Sequence, residues 1–168
     1  MCFSITGLTN SKHNFKVVLM EIDFDADGNL PPGIYEVTWA ELVVHCDRNP
    51  HRRRLLSGLR RALEVLKFAG CRRAYLDGSF VTKKEVPSDF DGCWERAGMD
   101  LRKLYAADPV LLIFSDGRAA QKAKYFGEFF PADSTEGNSG VTFLSFFQRD
   151  KDTGRDKGIL SLDLGSLR

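Results

Sequence analysis

Between Asn49 and Gly70 apolar residues recur every three or four positions, at Leu55, Leu59, Ala62, Leu63, Leu66 and Ala69. That spacing puts them on one stripe of a helix. Asn49-Pro50 supplies an N-cap followed by proline at the first helical position, and Gly70 supplies the C-terminal stop. Just upstream, Thr38-Trp-Ala-Glu41 is a capping box that opens a short helix through about Cys46. Met99 to Ala107 reads as a further helix, ended by Asp108-Pro109, and Ser115 or Asp116 caps another running to about Phe126.

Strand patterns lie between these helices. Phe15 to Phe24 is rich in β-formers and ends at the turn Asp25-Ala-Asp-Gly-Asn29; Leu30-Pro-Pro-Gly33 follows as an extended loop. Cys71 to Asp77 is a short strand leading into Gly78-Ser79. Asp89 to Glu95 is the next strand, and the wholly apolar Val110 to Phe114 reads as a buried one. Asp133 to Gly140 is a loop by composition. Val141 to Gln148 and Gly158 to Leu164 read as strands of a hairpin, separated by Asp150 to Gly154. Helices and strands in this order predict an α+β fold, a mixed sheet with flanking helices. A chain of 168 residues fits one domain. It divides into an N-terminal strand and extension (1–48), a core (49–130) and C-terminal strands (131–168).

Charge and composition narrow the chemistry. Lys and Arg number 24 against 23 acids, so no bulk field drives the chain onto a polyanion, and any such site has to be local. The densest cluster, His51-Arg52-Arg53-Arg54 with Arg60 and Arg61, is expected first as a solvated helix face, with triphosphate or RNA binding as the less favoured reading. Thirteen Phe suggest an aromatic core. No run approaches the roughly 18 apolar residues of a membrane span. Met1 to Asn10 lacks a basic start followed by an apolar run, so no secretory signal is expected. Cys2, Cys46, Cys71 and Cys93 form no CxxC pair, and His13, His45 and His51 miss zinc spacings, which favours reduced thiols in a cytoplasmic protein.

The stretch LDGSFVTKKEVPSDFDG carries the chemistry. A strand ends at Asp77, Gly78-Ser79 turns the chain, and Asp89 and Asp91 follow on either side of Phe90. Residues i and i+2 of a strand share a face, roughly 6.6 Å apart. Asp89 and Asp91 therefore both aim oxygens one way while Phe90 points into the core. Carboxylates on one face suit magnesium, which takes carboxylate and phosphate oxygens together. Gly78 lets the backbone approach a phosphate closely, and Ser79 offers a hydroxyl and an amide. Lys83 and Lys84 lie in the connecting segment, with charge to neutralise phosphate. Asp77, Asp89 and Asp91 would repel one another without a cation between them. The competing reading is a plain turn with two solvated acids. Trp39 and Trp94 offer base-stacking surfaces, although core packing is their commoner fate. Arg118, Lys122 and Lys124 on the predicted helix face either phosphate or water.

Apolar-Gly-Ser, this spacer and Asp-apolar-Asp resemble the polymerase-β-type nucleotidyltransferase superfamily, and most closely its minimal bacterial members of toxin-antitoxin type. The wider run also resembles an uncharacterised bacterial family in that superfamily, through Gly28 to Gly33, Tyr75 to Thr82, Pro87 to Trp94, Gly127 to Pro131 and Lys157 to Leu160. The resemblance implies a nucleotidyltransferase-like fold, with Gly78 and Ser79 at the nucleotide and Asp89 and Asp91 on Mg2+; Lys83, by its charge in the spacer, is expected at the nucleotide beside them. It also implies a third carboxylate on a later strand. Val110 to Phe114 contains no acid, so Asp116 just beyond it is the first candidate, with Asp108, Glu128 and Asp163 as substitutes.

The expected activity is transfer of a nucleoside monophosphate from an NTP to a protein, RNA or small-molecule acceptor. By analogy it would serve a toxin-antitoxin or phage-defence system with a cognate partner protein. The alternative is a non-catalytic nucleotide- or partner-binding module on the same fold.

Overall fold

A computed structural model describes residues 23–168. The expected strand Phe15 to Phe24 lies outside them except for Asp23 and Phe24, which are not in a strand, and Cys2 and His13 lie outside as well. The chain order is β1 (Gly33–Val37), α1 (Trp39–Cys46), α2 (Pro50–Phe68), β2 (Arg73–Asp77), β3 (Phe90–Trp94), α3 (Leu101–Ala107), α4 (Ala119–Tyr125), β4 (Gly127–Pro131), α5 (Phe143–Phe147) and β5 (Gly158–Asp163). The strands form one mixed sheet in the order β1-β5-β2-β3-β4. Pairs β1–β5 and β3–β4 are parallel, while β2 runs antiparallel to both β5 and β3. This is the expected α+β class, a mixed sheet with flanking helices. All three expected segments of the chain contribute to it: β1 from the first, β2, β3 and β4 from the second, β5 from the third.

Local chemistry sets the helix ends. Thr38 and Glu41 form the capping box in full, and Asn49 caps α2 by accepting from the Arg52 amide. The stripe Leu55, Leu59, Ala62, Leu63 and Leu66 is buried, in one core with Ala74 and Leu76 of β2, Phe90 and Trp94 of β3, and Leu160 and Leu162 of β5. Alternate residues of the same strands face the other way. Tyr75, Cys93, Phe130 and Ile159 form a second cluster with Phe147, and Phe143, Leu144 and Phe146 pack against it. The two strand faces thus differ in partner, α2 on one side and α5 on the other. No helix among the described residues is long and apolar enough to cross a membrane.

Three expectations need correction. Val110 to Phe114 is not a strand: Pro109–Leu112 is a 3-10 turn, because Asp108 accepts from the Val110 amide and Pro109 presets the first helical position. Val141 to Gln148 is not a strand either. Phe143, Phe146 and Phe147 recur at helical spacing, Thr142 caps Ser145, and α5 lays these rings against Phe130. No hairpin therefore joins this segment to β5. Two further strands, Gly33–Val37 and Gly127–Pro131, were not expected, being hidden in the sequence by their brevity and by the glycines and prolines near their ends.

The basic cluster also departs from a uniformly solvated face. Arg52 is 0% exposed. Its guanidinium donates to the carbonyls of Ser79 (3.3 Å), Phe80 (2.7 Å), Thr82 (3.0 Å) and Lys84 (2.6 Å). Around it, Arg48 donates to the Thr82 carbonyl, Asn49 Nδ2 to Glu85 O, and the ring nitrogens of His45 and His51 meet Val81 O and Pro87 O. The N-terminal end of α2 thereby holds the whole segment from Ser79 to Pro87. A buried charge stripped of partners, or carbonyls stripped of a donor, is costly. Arg52→Ala is expected to lower unfolding free energy by about 3 kcal/mol, read by urea denaturation. Arg52→Lys should recover only part of it, since an ammonium lacks the planar fork.

Candidate functional site

Strand register brings the acids together. Asp77 of β2 lies opposite Asp91 of β3, and Asp91 lies opposite Glu128 of β4. Side chains alternate along a strand. These three carboxylates therefore stand in a row across three adjacent strands, on the face opposite α2. Asp89, two residues before Asp91, joins the same face. The row forms one wall of a cleft of about 720 Å³ that also contains Gly78, Ser79, Lys84 and Ser88. Phe130, Phe143, Phe146 and Phe147 supply an apolar part of its lining, and the turn at Arg149 to Asp152 another edge.

Gly78 is required here twice over. Its φ of +75° is disfavoured for L side chains, and a Cβ built on it would lie 2.1 Å from Asp91 Oδ2. The backbone at the turn after β2 therefore passes directly against the Asp91 carboxylate. Ser79, next along, opens a 3-10 turn whose first two carbonyls accept from Arg52.

Cations meet most of the acids. Lys157 Nζ lies 2.9 Å from both oxygens of Asp77. Arg118 grips Glu128 with two donors, at 2.7 and 3.1 Å. Lys122 Nζ bridges Asp89 (3.1 Å) and Glu128 (3.3 Å). Asp91, in the middle of the row, has no such ion pair among the described residues. Burial raises its pKa first, the charges of Asp89, Glu128 and Asp77 add to this, and a hydrogen bond with Glu128 favours the protonated form; together they push it up to about 7. Asp77 is also raised, by burial, with Lys157 opposing.

Placement separates the candidate residues. Asp116 is exposed in the turn before α4, at positive φ, and does not line the cleft. Of the acids considered beside it, Glu128 is the one that stands next to Asp91 in the cleft. Lys83 is exposed, with its ammonium 5.8 Å from the centre of the Phe24 ring, and is likewise outside the cleft lining, whereas Lys84 is within it. Asp108 is buried elsewhere, held by Lys124 and Tyr125, and Asp163 caps the C-terminal 3-10 turn. Trp94 lies fully in the core, and half-buried Trp39 lies under Arg60.

Sequence reasoning underweighted Arg118 and Lys122 and missed Lys157. For Glu128 the available signal was an acid at the second position of a short apolar run, the parity that faces it with Asp91. For Lys157 there was none, since its reach to Asp77 depends on β5 entering the sheet beside β2.

Residues 22–163 match the profile of DUF6932, described as a family of unknown function. The chain belongs to that family. No curated protein and no solved structure matches it. The matched span contains β1 through β5 and all four carboxylates of the site.

The raised Asp91 pKa makes a signed prediction. A carboxyl that binds its proton more tightly folded than unfolded favours the fold most below its ordinary value of about 3.9. That contribution is lost as pH rises towards about 7. Asp91→Asn should therefore raise the thermal midpoint at pH 8 relative to the parent in chelator-containing buffer. The gain should shrink to nothing by about pH 4; a gain independent of pH would contradict the assignment.

Proposed function

We propose that this protein is a magnesium-dependent nucleotidyltransferase, moving a nucleoside monophosphate from an NTP to an acceptor hydroxyl with release of pyrophosphate. The observation that carries the reading is the Asp77–Asp91–Glu128 row beside Gly78-Ser79, with Asp89 on the same face. The likeness of the Gly-Ser and Asp-Phe-Asp segments to polymerase-β-type nucleotidyltransferases supports it.

The residues suit a hard divalent cation in their chemistry. All are carboxylates, Asp91 lacks a cation of its own among the described residues, and Gly78 leaves room against its Oδ2 where a Cβ would not. Among the described residues no group of three or more His, Cys, Asp or Glu converges as a metal site, and Lys122 and Arg118 pair with Asp89 and Glu128. Asp89 and Asp91 would hold the ion once Lys122 turns away. When bound, magnesium supplies charge neutralisation at the phosphates and the reacting oxygens.

The remaining work falls to the chain. The Gly78-Ser79 turn, fixed from behind by Arg52, offers the triphosphate a preset backbone approach. Lys122, Arg118 and Lys157 exchange carboxylate for phosphate oxygens as the substrate enters. Glu128 takes the acceptor hydroxyl's proton while that oxygen attacks the α-phosphorus and the bond to pyrophosphate breaks. The Phe143 and Phe146 rings give the base an apolar surface.

The bridging of Asp89 and Glu128 by Lys122 favours a second reading, a nucleotide-binding module without turnover. Labelled NTPs with magnesium separate the two. Label transfer that falls at least about 100-fold in Glu128→Gln and is abolished in Asp89→Ala/Asp91→Ala supports the transferase. Asp116→Ala should leave it unchanged. Magnesium-dependent NTP binding without transfer to any offered protein, RNA or small molecule supports the second reading. Absence of both binding and transfer overturns the assignment.

A further inference from the structure

Residues 51, 54, 58, 61, 65 and 68 of α2 recur at three and four and so share one face, about 26 Å long at the helical rise. This is not the buried leucine stripe. At its start, His51 meets the Pro87 carbonyl, two residues before Asp89. At its middle, Gly58 packs on the end of α4 so closely that a Cβ would lie 1.8 Å from the Tyr125 carbonyl. The Phe126 ring therefore sits against α2. Arg54 covers that ring with its guanidinium carbon 4.4 Å from the centroid, and Arg61 lies 5.6 Å away. Phe126 is also joined to the site, for its carbonyl accepts from the amide of Phe90, between Asp89 and Asp91.

The far end of this face opens into a groove of about 440 Å³ lined by Arg61, Val65, Phe68, Lys124 and Tyr125. Phe68 is 67% exposed there, a whole aromatic ring offered to solvent beside two cations. The groove's acids are already engaged: Glu64 pairs with Arg60, and Asp108 with Lys124 and Tyr125. Arg54 and Arg61 are exposed and make no ion pair with the described residues. On a chain of net charge +1 this is a local concentration of unneutralised cation, interleaved with aromatic rings.

We propose that this face, which starts beside the Pro87 segment preceding Asp89, binds single-stranded nucleic acid. Arg54 and Arg61 take successive phosphates, and Phe68 stacks a base at the distal end. Arginines with exposed aromatics are the combination that holds single strands without sequence readout. Duplex binding is disfavoured because a lone ring at the end of a groove has no unstacked base to meet. That the bound strand is the acceptor rests on the transferase reading; the binding itself does not.

The test is fluorescence anisotropy with a labelled oligouridine of about ten nucleotides, at about 50 mM salt and without NTP or magnesium. The expected Kd is on the order of 1–100 µM, typical of sequence-independent binding. Arg54→Glu/Arg61→Glu should weaken it at least about tenfold, and should flatten the log–log salt dependence by about 1.4, or 0.7 per phosphate contact. Phe68→Ala removes an exposed ring without disturbing the core, and should weaken binding about tenfold through lost stacking. Arg53→Glu/Arg60→Glu changes charge equally on other faces of α2 and should have little effect. No saturable binding, equal weakening by both charge pairs, or a duplex or inorganic polyphosphate competing as well as the single strand would each overturn the proposal. Because no nucleotide is present, binding with failed label transfer would count against the transferase reading alone.

Discussion

One buried guanidinium determines where the site can form. The segment between β2 and β3 has no ladder of its own, so its carbonyls must find donors elsewhere or remain unpaired under the protein's surface. Arg52 meets the carbonyls of Ser79, Phe80, Thr82 and Lys84, and its neighbours on α1 and α2 meet those of Val81, Glu85 and Pro87. The planar fork suits this task because its donors point in several fixed directions at once. The Arg52 side chain reaches these carbonyls only because Asn49 and Pro50 start α2 at that level. A helix cap thus places a turn some thirty residues away in sequence.

The carboxylate row depends on the sheet in the same indirect way. Asp77, Asp91 and Glu128 belong to strands whose mutual register is set on the opposite face, where Leu76, Phe90 and Phe129 pack in the main core. A slip of one residue would turn each acid into that core. The like charges repel, and burial adds to the cost of ionising them, which is why Asp91 is pushed so far towards protonation. Lys157, Lys122 and Arg118 offset this from the rim. Such an arrangement is poor design for stability alone, since apolar residues could fill the same strand positions without counterions. It is well suited to receiving positive charge or to handling a proton.

Much of this was legible in the sequence, and the limits were physical. Caps and stripes announced α1 and α2, because those signals are local and lie within one turn of the residues they organise. The turn at Gly78-Ser79 and the pairing of Asp89 with Asp91 were legible because strand periodicity fixes the face. Glu128 was visible only as one acid among several, since its role depends on β4 lying parallel to β3, a long-range pairing. Val110 to Phe114 and Val141 to Gln148 misled for the same reason: short apolar runs carry composition without period, and the caps at Asp108 and Thr142 decided them. The basic cluster of α2 was read as one population but divides by helical angle, with Arg52 turned inward and Arg54 and Arg61 outward.

That division lets one helix serve three surfaces without conflict. The leucines of α2 anchor it to the sheet, and Arg52 fixes the turn beside the carboxylates. The face from His51 to Phe68 runs along α4 towards the same cleft. Because all three are faces of one rigid rod, the distance from Phe68 to His51, which meets the Pro87 carbonyl, is set by helical rise. Flexible surface lysines could raise local nucleic-acid concentration equally well, yet would impose no such register. A helix that carries core, turn and outer surface at once holds Arg54 and Arg61 at a fixed spacing, which mobile side chains on a loop would not.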